Sequence, residues 1–280
     1  MKKRGAMREI SHIPIGNFPM PSKVAYQGVK GAFSYLTAKR LFGASCQLKG
    51  YPTFKETFES VEKGESEVAL LPIENSLAGT IYETIDLLSE GHLHIIGETT
   101  TAVDLSLLAP PGATLSTILR VFSHEKALMQ CSHFFKNHPK IEAVSYYNTA
   151  GAAADVAKEK DITTAAIAHE DVAKIYGLET ILKGIQDHKE NYTRFLLLSQ
   201  TPSTGQRKAL LLKLPHRKGS LAEVLTLLAT EGANLTYIVS RPIMGRPFEY
   251  LFYVELETIT ELSFEALGEK TDSLKVLGSF

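Results

Sequence analysis

Residues 24–34, Val24-Ala25-Tyr26-Gln27-Gly28-Val29-Lys30-Gly31-Ala32-Phe33-Ser34, carry a short apolar run through a two-glycine turn into a helical stretch that reaches Phe42. Strand, turn and helix in that order are the repeating unit of an α/β protein. The unit recurs downstream. Apolar runs at 68–71, 93–96, 104–109, 141–145, 165–168 and 196–198 alternate with helical stretches at 80–88, 125–137 and 149–160. That spacing predicts a mostly parallel sheet. At 280 residues the chain exceeds one ordinary domain, and the turn formers Thr201-Pro202-Ser203-Thr204-Gly205-Gln206 mark a linker over 201–206. Beyond it the order is strand 208–214, helix 220–231, strands 235–239 and 250–257, helix 264–267 and strand 274–277, a ferredoxin-like βαββαβ sandwich. In its first helix Leu221, Val224, Leu225 and Leu228 fall on one face.

Hydrophobic residues make up 44% of the chain and charged residues 22%, enough apolar content for a sizeable core. Thirty basic and 31 acidic side chains leave a net charge of −1, so no long-range field gathers nucleic acid or an anionic membrane, and neither is expected as a partner. An anionic ligand must be attracted locally. Cys46 and Cys131 form no CxxC pattern, and a reducing cytoplasm is the simplest setting. No apolar run approaches the ~20 residues of a membrane span. The first 23 residues mix Lys2, Lys3, Arg4 and Arg8 with Pro14, Pro19 and Pro21 and lack a secretory h-region. They read as a flexible leader, with Met7 and Met20 as alternative starts.

Three stretches could carry chemistry. The two-glycine turn lets backbone approach a ligand at a helix N-terminus, where free N–H groups favour an anion, although an ordinary βα turn has the same look. In Leu71-Pro72-Ile73-Glu74-Asn75-Ser76-Leu77-Ala78-Gly79-Thr80 a buried strand ends in polar residues. Strand carboxyl ends are where open α/β sheets place ligands, yet Asn75 and Ser76 also suit helix capping. The third, 184–195, delivers Asn191, Thr193 and Arg194 into the apolar run 196–198, either as a site or as a solvated loop. His92 and His94 alternate along a strand without a third ligand, so no metal is expected.

Together the glycine turn, Pro72-Ile73-Glu74-Asn75-Ser76-x-x-Gly79 and Asn191-x-Thr193-Arg194-Phe195 resemble the prephenate dehydratase family, over the chain from about Val24 onward. Phe122-Ser123-His124 followed by Gln130-Cys131 matches a further family segment. Glu125-Lys126 stands where the family usually has Pro-Gln, so Gln130 rather than Glu125 or Lys126 is the expected contact. The resemblance implies a cofactor-free lyase that converts prephenate to phenylpyruvate, on a two-lobed domain like the type II periplasmic binding proteins. The lobes would be 24–99 with 182–200, and 100–181. It further implies Thr193, Arg194, Asn75, Ser76 and Gln130 as catalytic residues, and Gly31, Glu74, Gly79, Asn191 and Phe195 as substrate contacts. Thr193 would donate a proton to the leaving hydroxyl or only orient it.

The C-terminal part, 207–280, resembles an ACT regulatory domain. Leu214-Pro215, Gly219-Ser220-Leu221-Ala222, Asn234-Leu235 and Ser240-Arg241 look like its phenylalanine site, with Ser220 for the usual Ala and Val239 for the usual Glu. L-Phenylalanine is then the expected effector, and a cytoplasmic homodimer or homotetramer the expected assembly. Arogenate dehydratase and a non-catalytic amino-acid sensor are the alternatives.

Overall fold

The computed structural model describes residues 19–43, 45–243 and 245–280. Most of the expected leader, with Met7, lies outside the described residues. The first sheet is built from β1 (Lys23–Gln27), β2 (Gln47–Tyr51), β3 (Val68–Asn75), the two-residue β4 (Gly79–Thr80) and β5 (His94–Ala102). Helices α1 (Phe33–Phe42), α2 (Phe54–Glu62) and α3 (Tyr82–Glu90) connect them. The chain then crosses into a second sheet of β6 (Ser106–Ala109), β7 (Arg120–His124), β8 (Glu142–Tyr146), β9 (Thr164–Ala168) and β10 (Glu179–Leu182). Its helices are α4 (Glu125–Met129), α5 (Ser132–Asn137), α6 (Thr149–Glu159) and α7 (Asp171–Tyr176). It crosses back to form β11 (Tyr192–Ser199) between β3 and β5.

The two sheets have one plan, β2-β1-β3-β11-β5 and β8-β7-β9-β6-β10, and in each the strand reached by the crossing runs antiparallel to both its neighbours. This is the two-lobed architecture of type II periplasmic binding proteins. Because β5 continues to Ala102, the first sheet extends past the division expected at Thr100. The remainder forms β12 (Arg207–Lys213), α8 (Ser220–Thr230), β13 (Asn234–Pro242), β14 (Tyr250–Glu257), α9 (Phe264–Glu269) and β15 (Ser273–Ser279). Its sheet, β13-β14-β12-β15, is antiparallel throughout, as the ferredoxin-like order requires.

The helix expected over 125–137 is broken at Gln130-Cys131. Asp187, from the returning crossover, accepts from the Ser132 and His133 amides at 3.0 Å each and so starts α5 anew. A cap from 55 residues away is invisible to local periodicity. Cys131, expected inside a helix, sits in this break; it is fully buried and its thiol is pushed up to about 12 by burial.

β11 is apolar on consecutive positions because both of its faces are covered. Phe195 and Leu197 pack with Val24, Leu70 and α1 residues Ala38 and Phe42. Leu196 and Leu198 meet Ile85 and Leu88 of α3 and also Ala209, Leu211, Tyr253 and Leu277 of the C-terminal sheet. That sheet is thus sandwiched between the first lobe and its own helices, which cover Leu210, Leu212, Val254 and Leu256. At Gly278 a Cβ would stand 2.0 Å from the Ile95 carbonyl oxygen, so the close approach of β15 to β5 requires glycine.

At the centre of this interface Arg194 reaches Glu255 at 2.6 Å and Glu98 at 2.9 Å, with Glu74 at 3.4 Å. Arg207 binds Glu98 and lies 3.5 Å from Glu255. The Arg194 guanidinium also stacks on Tyr237, 5.0 Å from the ring centroid. Burial opposes its charge, and the Glu255 and Glu98 carboxylates outweigh that. Around α3, Arg241 grips Asp86 with two bonds of 2.8 and 2.6 Å, Lys275 donates to the carbonyls of Leu88, Ser89 and Gly91, and Tyr237 bonds Thr80 at 2.6 Å.

Two stability predictions follow from burial. Arg194→Met leaves Glu98 and Glu255 with Arg207 as their one remaining cation, beside the Tyr253 hydroxyl on Glu255, in a buried interface, and should lower unfolding free energy by about 3–5 kcal/mol in urea titration; a loss under about 1 kcal/mol would mean that the cluster is effectively solvated. His169, 5% exposed, packs edge-on against Phe33 of the other lobe, and burial pulls its pKa below 6.5 despite the opposing Asp171, Asp104 and Glu170. The unfolded chain therefore binds a proton that the folded chain refuses. Stability should fall as pH drops below about 6.5, by up to ~1.4 kcal/mol per unit, and His169→Gln should flatten that slope.

Candidate active site

A cleft of about 340 Å³ lies between the two lobes. The first lobe supplies Gln27, Ala32, Phe33 and Ser34 from the β1–α1 turn, Pro72 and Asn75 from the end of β3, and Gly79, Thr80 and Ile81 beside α3. Val103, Leu105 and Asn191 come from the two crossovers, and Thr193 and Phe195 from β11. The second lobe adds His124, Lys126, Ala127 and Gln130 along α4, and Asn148 and Thr149 at the start of α6.

A directed hydrogen-bond network orders the floor. Asn75 Oδ1 accepts the amides of Leu77 and Ala78 at 3.1 and 2.9 Å, which fixes its amide orientation. Its nitrogen then donates to Asn191 Oδ1 at 2.8 Å, the Tyr192 carbonyl at 3.0 Å and Thr193 Oγ1 at 3.1 Å. Asn191, 1% exposed, donates in turn to Gln130 Oε1 at 3.1 Å. Thr193 is thus an acceptor toward Asn75, and its own proton, with no acceptor among the described residues, is left to point at a ligand.

The electrostatics suit an anion. α1 starts at Ala32 without a capping side chain and without an acid in its first turn, and α6 also lacks an acid there. Both N-termini bring positive partial charge to the cleft. Lys126 adds a full charge, and no Asp or Glu is among the lining residues. Among the described residues no group of three or more His, Cys, Asp and Glu side chains converges to hold a metal.

Of the residues singled out from sequence, Asn75, Gly79, Gln130, Asn191, Thr193 and Phe195 line the cleft, and four do not. Arg194 and Glu74 face the C-terminal sheet. Alternation along a strand forces this, because Thr193 pairs with Asn75 and Arg194 with Glu74, on opposite faces. Ser76 is spent holding the crossover, accepting from the Tyr192 amide at 2.9 Å. Gly31, at φ +95°, packs between lobes, where a Cβ would meet Val172, Ala150 and Tyr176 at 3.4–3.5 Å. Sequence reasoning missed Gln27, Ser34, Thr80, His124, Asn148 and Thr149 and discounted Lys126. Gln27, Ser34, Thr80 and His124 lie within the stretches quoted from the sequence but were not named as contacts, and Asn148 caps α6 by accepting from Gly151.

In the C-terminal domain a second cavity of about 310 Å³ is lined by Leu214, Pro215, Ser220 and Leu221 with Phe248, Tyr250 and Phe252. Gly219 precedes it at φ +88°, and Ala222 is exposed on α8. Asn234 and Leu235 stand at the far end of β13, whose Pro242 is the residue paired with Tyr250. Eight residues of strand, about 26 Å, separate the two ends. Ser240 is exposed and Arg241 is committed to Asp86, so neither belongs to this cavity.

The prephenate dehydratase family model matches residues 24–203. The arogenate dehydratase/prephenate dehydratase 2 of Arabidopsis thaliana is 38% identical, covering 92% of this chain and 72% of its own. Among solved structures, a quorum-quenching acylase superposes with TM-score 0.82 at 30% identity, over 91% of this chain and 96% of its own. A prephenate dehydratase from Arthrobacter aurescens in complex with L-Phe superposes with TM-score 0.81 at 27% identity, over 91% and 88%. Family model, relatives and a cleft built for an anion agree: the chain belongs to the prephenate dehydratase family of lyases.

Proposed function

We propose that the cleft converts prephenate to phenylpyruvate, and that Thr193 acts on the leaving hydroxyl. The observation that carries this reading is the polarity of the Asn75–Thr193 bond, which leaves the threonine proton free within a cleft lined by no carboxylate. The prephenate dianion and one proton become the phenylpyruvate anion, carbon dioxide and water. The ring carboxylate leaves as carbon dioxide, its bonding pair enters the ring, and the carbon–oxygen bond opposite breaks as the ring becomes aromatic. Aromatisation drives the step, so no electron sink is required. A hydroxyl is a weak acid, which suits Thr193 to bonding the departing oxygen while the surrounding dipoles stabilise developing charge. Two lobes joined by two crossovers can close over the substrate and exclude water.

Thr193→Ala should cut kcat by about 10²–10⁴ with an unchanged melting curve, and Thr193→Ser should recover much of it. Phenylpyruvate absorbance in alkali after mixing with prephenate reads the rate, and near-normal turnover in Thr193→Ala would remove the assignment.

The regulatory reading assigns the C-terminal part to the ACT class and gives it L-phenylalanine as inhibitor, in a cytoplasmic homodimer or homotetramer. The 214–221 turn offers backbone donors for an α-carboxylate beside apolar Leu214, Leu221 and Phe252. Asn234 and Leu235 lie too far along β13 to serve the same cavity, so a second copy would bring them. β13 is an edge strand with Leu235 and Ile238 exposed, which favours pairing with another chain. The contacts of Tyr237 with Thr80 and of Arg241 with Asp86 offer a physical route to the cleft, and couplings of about 1–3 kcal/mol are typical. Gly219→Val, which puts a β-branched residue at positive φ, should abolish phenylalanine binding by calorimetry together with inhibition. Inhibition that survives in this variant would locate the effector elsewhere.

A further inference from the structure

The substrate's side chain can carry a ketone, as in prephenate, or an α-ammonium, as in arogenate; ring carboxylate and leaving hydroxyl are common to both. The reacting groups therefore cannot distinguish the two, and discrimination must come from charge around the side chain. An ammonium drawn out of water into the cleft needs an acceptor, best of all a carboxylate. The lining offers no carboxylate. Of the acids close to the lining residues in sequence, Glu74 is engaged by Arg194, Asp104 by Gln186 and Asp187 by the α5 amides, while Glu125 and Glu190 are exposed and are not among the lining residues.

Lys126 is instead the one lining side chain with a permanent charge, and its ammonium makes no ion pair with a described residue. It stands four residues before Gln130, which closes the Asn191–Asn75–Thr193 network. Residues four apart share a helix face about one turn, ~5.4 Å, apart. One turn is comparable with the span across a six-membered ring from the leaving oxygen to the substituents of the opposite carbon. With Thr193 at the hydroxyl, the opposite ring carbon, which bears the ring carboxylate and the side chain ending in the second carboxylate, would lie toward the Lys126 wall.

Resting on the dehydratase reading above, we infer that Lys126 is a specificity-determining residue: it receives the side-chain carboxylate and selects the keto dianion over the ammonium-bearing analogue. An ammonium on the carbon next to that carboxylate meets a like charge, with no carboxylate among the lining residues to offset it.

The test is steady-state kinetics of the full chain with prephenate and arogenate in parallel. Wild type should show the higher kcat/KM for prephenate. Lys126→Gln should raise the prephenate KM roughly tenfold to a hundredfold, with a smaller effect on kcat, and contract the ratio between substrates. Lys126→Arg should restore the ratio, and Lys126→Glu, which supplies a carboxylate, should invert it toward arogenate. Lys126 is exposed, so these variants fold. An unchanged ratio in Lys126→Gln, or a wild type that prefers arogenate, overturns the inference while the dehydratase reading stands. A wild type that consumes neither substrate overturns both.

Discussion

Four charged side chains, Arg194, Arg207, Glu98 and Glu255, meet at the buried junction between β11, β5 and the C-terminal sheet, and the molecule is organised around that junction. Such clusters contribute little net stability, since taking each charge out of water offsets the attraction. They are directional, however. A slip of β11 by one residue would bury Thr193 against the C-terminal sheet and turn Arg194 into the cleft, leaving Glu98 and Glu255 with Arg207 as their remaining arginine. The junction thus fixes which face of β11 serves the cleft.

The same strand explains why the two halves of the molecule are mechanically joined. Thr193 and Phe195 face the cleft while Arg194 and Leu196 face the C-terminal sheet, so a displacement of that sheet acts on the backbone that carries Thr193. α3 is held similarly, by Arg241 near its middle and by Lys275 at its C-terminal carbonyls, and its N-terminal neighbour Thr80 lines the cleft. No helix among the described residues is long and apolar enough to cross a membrane.

Much of this was legible in the chain. The alternation from Val24 and the turn formers at 201–206 gave the α/β core and the βαββαβ unit, because buried strands and amphipathic helices need those periods. Asn75, Gln130, Asn191 and Thr193 were found through motifs, and they do converge. The edge strand β2 went unread because its exposed Gln-Leu-Lys-Gly-Tyr has no apolar pattern.

By itself the sequence determined fold class, the family and the residues of the Asn75–Thr193 network, all of which rest on local pattern. Tertiary structure alone decided direction. Adjacent residues on a strand look alike in a motif, yet pleating sends Thr193 to the cleft and Arg194 to a carboxylate cluster whose members lie 61 and 96 positions away. Likewise the break at Gln130-Cys131 depends on Asp187, and the importance of Lys126 depends on which charges are missing around it. Electrostatic environment is a sum over neighbours in space, and no reading along the chain contains that sum.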